Sequence, residues 1–166
     1  PYRKLALRIP GWCETYTLEL NGEPVCVQPR GGYAVVERGW RPGDRLTLML
    51  SMPPRRVYAD PRVRADEGRA AVCRGPIVYC AEGCDQPEAL DGVTLPREAE
   101  LRVEPRELEG HAFPGIIAQA RYPDGAAAPY QSRPAARHTG ALRLIPYALW
   151  ANRGEDDMRV FLTEGE

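Results

Sequence analysis

Apolar and polar residues alternate with a period of two through many short segments of this chain. Because successive side chains of a strand point to opposite faces, this period predicts β-strands with one buried face. A helical period persists nowhere for long, so no long helix is expected. The segments predicted as strands are residues 5–9, 16–20, 25–27, 33–37, 46–50, 56–58, 70–73, 76–81, 101–104 and 158–162.

Turn signals separate these segments and predict how some of them connect. Asn21-Gly22 stands between two alternating runs and predicts a hairpin, because both residues tolerate the positive φ of a type I′ turn. Pro42-Gly43 fits the central positions of a type II turn, in which proline sets the first φ and glycine accepts a positive second φ. Arg74-Gly75 links two further predicted strands, which indicates a hairpin or a bulged bend.

Short strands separated by turns at intervals of about 8–12 residues are typical of a β-sandwich or a barrel. The predicted fold class is therefore all-β, an antiparallel β-sandwich of jelly-roll type with a second small β subdomain as an option. We expect residues 1–84 to form the sandwich and 85–139 a loop-rich excursion or small β subdomain. Residues 140–166 are expected to supply closing strands that pack back on the sandwich. Proline, glycine and alanine concentrate at 121–139, which favours an exposed excursion there.

The composition fits a folded domain and argues against two classes of partner. The 166 residues include 17 prolines and 16 glycines, more than average usage but fewer than in low-complexity disorder. The formal net charge is −1 and the isoelectric point about 6.2, whereas nucleic-acid-binding domains usually show a basic footprint. No apolar run approaches the roughly 18 residues of a membrane span. Neither nucleic acid nor a membrane is therefore expected as a partner.

The five cysteines are Cys13, Cys26, Cys73, Cys80 and Cys84. An odd number cannot pair completely within one chain, so we expect reduced, mostly buried thiols and a cytoplasmic, bacterial protein. Cys80 and Cys84 are spaced like some metal ligands, but no second pair of ligands follows them. Core thiols are the favoured interpretation, and no metal ligand is assigned.

Hydrolase motifs based on serine, histidine or paired carboxylates are not assignable from the sequence. His111 and His138 stand in loop-like contexts, and neither Ser51 nor Ser132 lies in a Gly-x-Ser-x-Gly elbow. A glycosidase needs two carboxylates about 5–10 Å apart around a sugar-sized cleft, which no spacing in the sequence establishes. The acidic run 155–157 is most simply a solvated turn.

Three tryptophans are the candidate contact residues. Trp12, Trp40 and Trp150 offer aromatic faces on which sugar rings stack, because such faces bury a large apolar area. In a domain of this size tryptophans more often close a core or an interface, so that alternative is favoured. Interface contact and sugar contact both stay open for these residues.

Four further segments occur in order along most of the chain. They are Leu7-Arg8-Ile9-Pro10-Gly11-Trp12; Val36-Glu37-Arg38-Gly39-Trp40 with Gly43-Asp44; Arg74-Gly75-Pro76-Ile77-Val78-Tyr79-Cys80 followed by Glu82; and Ile145-Pro146-Tyr147 with Trp150-Ala151-Asn152-Arg153-Gly154. Together they resemble the C-terminal part of glycoside hydrolase family 127, the β-L-arabinofuranosidase-like enzymes. Each segment alone is weakly specific, whereas four in register make a fairly specific signal.

The resemblance implies a parent enzyme whose chemistry lies outside this chain. Members of the family carry an N-terminal (α/α)6 barrel, in which a cysteine thiolate acts as nucleophile beside a zinc ion bound by cysteines and a glutamate. The adjacent cysteine pair of that site has no match here, so no catalytic, cofactor-binding or metal-binding residue is carried over. Zinc is implied for the parent and no cofactor for this segment. Because the chain starts at Pro1 rather than methionine, we expect a fragment.

The expected function follows from that resemblance. The chain would be the non-catalytic β-sandwich region of an enzyme that hydrolyses non-reducing-end β-L-arabinofuranosides. Its partner would be the missing catalytic barrel of the same polypeptide. Two alternatives stay open, an autonomous carbohydrate-binding module and an interaction domain that mediates a homodimer. Removal of a barrel would expose an apolar face, which motivates the second alternative.

Overall fold

The computed structural model describes residues 2–108, 110–125, 130 and 132–165. These residues form strands, turns and three one-turn 3-10 helices, so the prediction of an all-β fold is confirmed. None of the helices in these ranges is long and apolar enough to cross a membrane. The strands are Tyr2–Arg8 (β1), Tyr16–Leu20 (β2), Glu23–Pro24 (β3), Tyr33–Gly39 (β4), Leu46–Leu50 (β5), Pro54–Val57 (β6), Arg69–Arg74 (β7), Ile77–Glu82 (β8), Thr94–Pro96 (β9), Arg102–Leu108 (β10), His111–Pro123 (β11), Arg137–Pro146 (β12), Met158–Arg159 (β13) and Phe161–Gly165 (β14). The 3-10 helices are Arg64–Asp66, Gly83–Asp85 and Tyr147–Leu149.

The chain divides into two compact units, Pro1–Pro53 and Pro54–Glu166. The division lies between consecutive prolines, earlier than residue 84, where the sequence pattern put the end of the sandwich. The physical reason is the pairing of β7 and β8, which bond to β14 and β12 from the end of the chain. By its hydrogen bonds this hairpin belongs to the second unit, and most residues of its two strands are buried.

The first unit consists of two small antiparallel sheets. β1 pairs with β4, and β2 lies between β3 and β5. Their apolar faces form a cluster whose buried members are Ile9, Cys13 and Ala34. Partly buried side chains packed against it are Trp12, Tyr16, Val27, Leu48 and Leu50. Two sheets that share one core form the sandwich-like arrangement that the alternation predicts.

Two turns of this unit have the predicted backbone conformations. Asn21 and Gly22 have φ values of 55° and 86°, as the type I′ hairpin between β2 and β3 requires. Gly43 has a φ of 91°, which fits the second central position of a type II turn. The strand predicted at 25–27 is wrong, because β3 ends at Pro24 and Val27 packs against the apolar cluster instead.

The second unit is one sheet of nine strands that closes on itself. Its order is β13-β8-β12-β11-β9-β14-β7-β6, with β10 bonded to β11 and β8 bonded also to β7. The β7–β8 pairing joins distant parts of the path, so the strands from β8 to β7 form a ring around the main core. The pairs are antiparallel except for β9 with β14. The buried core residues are Val72, Tyr79, Ala81, Leu90, Val93, Leu95, Ile116, Ala118, Ala120, Tyr122, Leu142, Leu144 and Leu162.

The hairpin predicted at Arg74-Gly75 is confirmed. β7 and β8 pair from Arg74 opposite Ile77, and Gly75 in the connection has a φ of 56°. The final strand predicted at 158–162 is divided instead at Val160, because β13 bonds to β8 whereas β14 bonds to β7 and β9. The chain therefore changes its partners within the predicted strand.

The excursion predicted at 121–139 is shorter in the structure. β11 continues to Pro123 and β12 begins at Arg137, and these two residues are the last pair of their ladder. Gly140 lies so close to the Tyr122 ring that a Cβ would come within 2.9 Å of it, so glycine permits this packing. Residues 126–129 and 131 of the predicted excursion lie outside the described residues.

Candidate functional site

Two of the ordered sequence segments meet beside the end of β8. β12 and β13 both pair with β8, so the intervening segment 147–157 is anchored at both ends next to the 3-10 helix Gly83–Asp85. The paired residues are Ile145 with Cys80, Pro146 with Tyr79, and Met158 with Glu82. This register brings residues about 70 positions apart into one cluster of charges.

Glu82, the last residue of β8, is fully buried. Its carboxylate accepts one hydrogen bond from the Arg153 guanidinium and another from the Ala151 N–H at 3.1 Å. Ala151 has a φ of 62°, a left-handed conformation that is uncommon for alanine. A buried carboxylate is tolerated when it is both paired and hydrogen-bonded, and Glu82 meets both conditions.

Asp85 shares the same guanidinium. Arg153 donates from Nη1 to Asp85 Oδ1 at 2.8 Å and from Nη2 to Oδ2 at 2.6 Å, which is a bidentate pair. Arg106 on β10 donates from Nη2 to Oδ1 at 2.6 Å. Burial raises the pKa of Asp85, but the hydrogen bonds from Arg153 and Arg106 outweigh burial and hold the pKa below its ordinary value. Asp85 is therefore ionised at neutral pH.

We define these four residues, Glu82, Asp85, Arg106 and Arg153, as the ion cluster. The hydrogen bond to Asp85 raises the pKa of Arg153, burial opposes this, and the hydrogen bond to Glu82 raises the pKa further. Two carboxylates facing two guanidinium groups leave no net charge within the cluster. Its geometry holds the segment 147–157 against β8.

The thiols near the ion cluster are not activated. Burial raises the pKa of Cys80 to about 12, and the charges of Glu82 and Asp85 act in the same direction. Burial also raises the pKa values of Cys73 and of the more exposed Cys84. A nucleophilic thiolate requires a lowered pKa, so none of these three thiols has the required electrostatic surroundings. All five cysteines of the chain are free, and three are buried.

Two members of the ion cluster also belong to a group of residues that could bind a metal ion. Glu82, Cys84 and Asp85 place one potential ligand atom each within 4.8 Å of one another. Arg153 bonds both carboxylates, so a cation bound there would face a guanidinium at hydrogen-bonding distance. In this structure the two carboxylates bond an arginine, which a metal ion would have to displace.

The three tryptophans are divided between the two units. Trp12 packs against the apolar cluster of the first unit, and Trp40 in the same unit donates from Nε1 to the Arg3 carbonyl at 3.1 Å. Trp150 belongs to the second unit, is 39% exposed and stacks on Tyr147 with ring centroids 6.0 Å apart. The interface and sugar-contact roles predicted for them stay predictions.

Sequence reasoning did not identify the ion cluster. Glu82 and Arg153 stand in two of the ordered segments, but their spacing along the chain carries no local motif. Asp85 lies in a stretch interpreted as a loop, and Arg106 lies just after the strand predicted at 101–104. The available signal was an acidic residue at a strand end and an arginine in a turn, which is common in proteins without any shared site.

Two family models match the chain and divide it where its compact units divide. The model for "Beta-L-arabinofuranosidase, GH127 middle domain" matches residues 2–52. The model for "Glycoside hydrolase family 127 C-terminal domain" matches residues 54–163. Both units are thus accounted for by the same family.

Individual relatives agree with the family models. The non-reducing end beta-L-arabinofuranosidase of Bifidobacterium longum subsp. longum is 40% identical over 172 residues, covering 95% of this chain and 25% of that protein. The solved structure of a GH127 beta-L-arabinofuranosidase from Geobacillus stearothermophilus T6 matches with a TM-score of 0.91 and 37% sequence identity. The match covers 99% of this chain and 27% of that enzyme's chain. A further solved structure, described as a glycoside hydrolase, has a TM-score of 0.89 at 32% identity, with 99% and 28% covered. The chain spans about a quarter of the length of these relatives. It belongs to glycoside hydrolase family 127 and comprises the regions matched by that family's middle and C-terminal domains.

Proposed function

We propose that this chain is the non-catalytic β region of a glycoside hydrolase that removes non-reducing-end β-L-arabinofuranosyl groups. The substrate class is taken from the name of the Bifidobacterium longum relative, of which this chain covers a quarter. Catalysis is assigned to an N-terminal (α/α)6 barrel of the same polypeptide, which lies outside the matched segment. The chain's role is then to pack with that barrel.

The observation that carries the proposal is the state of the carboxylates and thiols around the ion cluster. An acid–base catalyst must be able to exchange a proton with the substrate. Glu82 is buried and bonded to Arg153, and Asp85 is bonded to two arginines, so both carboxylates are already engaged. The raised pKa values of Cys80 and Cys84 give no support to a thiolate nucleophile in this segment.

For the parent enzyme we propose a zinc-bound cysteine nucleophile in the barrel, because zinc lowers the pKa of a coordinated thiol. No residue of this chain is assigned to that metal. A cytoplasmic location is proposed with it, since free thiols such as the five found here persist in a reducing compartment.

The test compares this chain with the full-length relative from Bifidobacterium longum. Both are incubated with p-nitrophenyl β-L-arabinofuranoside, with and without added zinc, and release of p-nitrophenol is followed. We expect turnover by the full-length relative and none by this chain in either condition. Turnover by this chain alone would overturn the non-catalytic assignment.

A second candidate function, an autonomous carbohydrate-binding module, is favoured by the aromatic pair of the second unit. Tyr147 and Trp150 are 46% and 39% exposed and stack with an interplanar angle of 22°, a surface on which a sugar ring can lie. Calorimetric titration with arabinofuranosyl oligosaccharides tests this function. Heat that disappears in Trp150→Ala supports it, and a concentration-dependent mass in light scattering supports the homodimer alternative instead.

A further inference from the structure

The second unit contains a cavity of about 300 Å³ that shares no residue with the ion cluster. It is formed by the loop after β6, the start of β7 and residues near β9 and β14. Its size lies at the lower end of the roughly 300–1,000 Å³ of ligand pockets, which suits a small ligand. The lining residues used below are Tyr58, Val63, Asp66, Arg69, Arg97 and Glu164.

Glu164 is the best-fixed polar group of this cavity. Its side chain is only 3% exposed, and its carboxylate lies 3.2 Å from Nε of Arg56 and 3.2 Å from Nε of Arg97. The Tyr58 hydroxyl donates to Glu164 Oε1 at 2.8 Å. This hydrogen bond raises the pKa of Tyr58, so its hydroxyl stays protonated at neutral pH. The carboxylate therefore orients both an aromatic ring and a guanidinium at the cavity.

The loop that forms one wall is held by local hydrogen bonds. The Val63 N–H donates to the Asp60 carbonyl at 2.8 Å, and the Asp60 carboxylate accepts from the Arg62 N–H at 2.9 Å. The Glu164 N–H donates to the Gly68 carbonyl at 2.9 Å, which ties the end of the loop to β14. A wall ordered before binding reduces the entropy lost when a ligand binds.

The polar groups of the cavity have both signs of charge. Asp66 supplies acceptors, whereas Arg69 and Arg97 supply donors. A ligand with a net charge would be attracted by one set and repelled by the other, so its charge would add little to binding. A hydroxyl group both donates and accepts, so a neutral polyol matches the two sets together. Tyr58, which is 58% exposed, and Val63, which is 46% exposed, add apolar surface suited to the face of a ring.

We propose that this cavity is an accessory binding site for a neutral sugar ring, with Tyr58 as the stacking face and Arg97 and Asp66 as hydroxyl partners. The choice of an arabinofuranosyl ring rests on the proposed function, whereas the sugar class rests on the cavity. Such a site would hold part of a substrate chain on the β region while hydrolysis takes place elsewhere.

The probe for this site is methyl β-L-arabinofuranoside, measured by saturation-transfer difference NMR on the 166-residue chain. We expect saturation transfer to the ring protons, and clearly weaker transfer to sorbitol, which has the hydroxyls but no ring to stack on Tyr58. Tyr58→Ala should weaken the affinity about tenfold, while Tyr58→Phe, which keeps the ring, should stay within about threefold. Arg97→Ala, at a mostly exposed position, should weaken binding without disturbing the fold.

Three outcomes would overturn the proposal. They are no saturation transfer to the probe, equal transfer to sorbitol, and binding that is lost in Trp150→Ala but kept in both Tyr58→Ala and Arg97→Ala. Circular dichroism of each variant shows that loss of binding is not loss of folding. Hydrolysis by the full-length relative is measured separately, so failure of the accessory site leaves the proposed function intact. If the chain binds the sugar but the full-length relative does not hydrolyse the arabinofuranoside, the accessory site stands and the proposed function fails.

Discussion

The ion cluster and the cavity around Glu164 contain similar residues and differ in what surrounds them. Each has one deeply buried glutamate, with side-chain exposures of 0% for Glu82 and 3% for Glu164. Each glutamate pairs with arginine from a distant part of the chain, Glu82 with Arg153 and Glu164 with Arg56 and Arg97. Around Glu82 the acceptors and donors face one another. Around Glu164 and its arginine partners lie an exposed tyrosine, Tyr58, and a cavity of about 300 Å³.

This difference shows why a buried carboxylate beside an arginine is a poor indicator of a functional site. Pairing neutralises the charge and satisfies its hydrogen bonds, so the group has little left to offer a ligand. What distinguishes the Glu164 region is open volume lined by donors, acceptors and an aromatic face together. We therefore interpret the ion cluster as structural and the cavity as the binding candidate.

The largest expected effect is on stability when the ion cluster loses Arg153. Arg153→Ala leaves Glu82 buried without its counter-charge and removes the bidentate partner of Asp85. Breaking a buried pair in this way typically costs about 3–5 kcal/mol, and the partial exposure of Arg153 favours the lower end. Urea unfolding followed by circular dichroism measures the loss in the free energy of unfolding.

The matched control for that variant is Arg159→Ala. Arg159 also pairs with two carboxylates, Asp91 and Asp157, but their side chains are 88% and 44% exposed, far more than those of Glu82 and Asp85. Exposed pairs contribute little, so this variant should lie close to the unmodified chain. Equal effects of the two substitutions would contradict the structural interpretation of the ion cluster.

A smaller loss is expected for Glu164→Gln. The substitution keeps the shape and removes the charge that faces Arg56 and Arg97. Because the Arg97 side chain is 77% exposed, water can take over its solvation, and the cost should be about 2 kcal/mol. Glu98→Gln, at an exposed position near β9, is the control in the same urea series. A loss as large as that of Arg153→Ala would show that the two carboxylates are equally structural.

Most strands of the first unit were predictable from sequence because apolar and polar side chains alternate along them, although the strand predicted at 25–27 was wrong. The hairpin β7–β8 was predictable from its two apolar runs and the glycine in its turn, because its strands are buried over most of their length. β11 was not predicted, since Ala118 and Ala120 occupy two of its buried positions and give a weak hydrophobic signal. The division into two compact units at Pro53 and Pro54 is not readable from the alternation for a different reason. It depends on which strands pair, and alternation records only which face of a strand is buried.

Both candidate regions depend on long-range register, which explains why neither was found in the sequence. Glu82 and Arg153 are 71 residues apart, and Tyr58 and Glu164 are 106 residues apart. No local spacing connects such residues. They meet because β12 and β13 pair with β8, and because β14 pairs with β7 and β9.

Acid should lower the stability of the unmodified chain toward that of the Asp85→Asn variant, because the variant has no carboxylate to protonate at position 85. The folded pKa of Asp85 lies below its ordinary value of 3.8, so its contribution is complete above that value and is lost as the pH falls through the folded pKa. Asp85→Asn should therefore be less stable than the unmodified chain at about pH 7, with the difference shrinking toward about pH 2. Asp91→Asn, at an exposed ion pair, should show little difference at either pH. A gap for Asp85→Asn that stays constant across this range would count against an ionised Asp85.

The smallest expected effect comes from a third arrangement of carboxylates, which separates the contribution of pairing from that of burial. His138 lies between two exposed carboxylates, with Nδ1 2.6 Å from Asp124 and Nε2 2.6 Å from Glu88. The hydrogen bonds to Asp124 and then Glu88 raise the pKa of His138 above its ordinary 6.5. Any stability from these pairs is thus complete below pH 6.5 and is lost as the pH rises through the raised folded pKa.

An NMR titration of the His138 ring should give a midpoint above 6.5, while the gap in stability between the unmodified chain and His138→Gln should narrow as the pH rises. Since both carboxylates are about half exposed, that gap should be far smaller than the loss in Arg153→Ala. A comparable gap would mean that pairing, and not burial, sets the strength of the ion cluster.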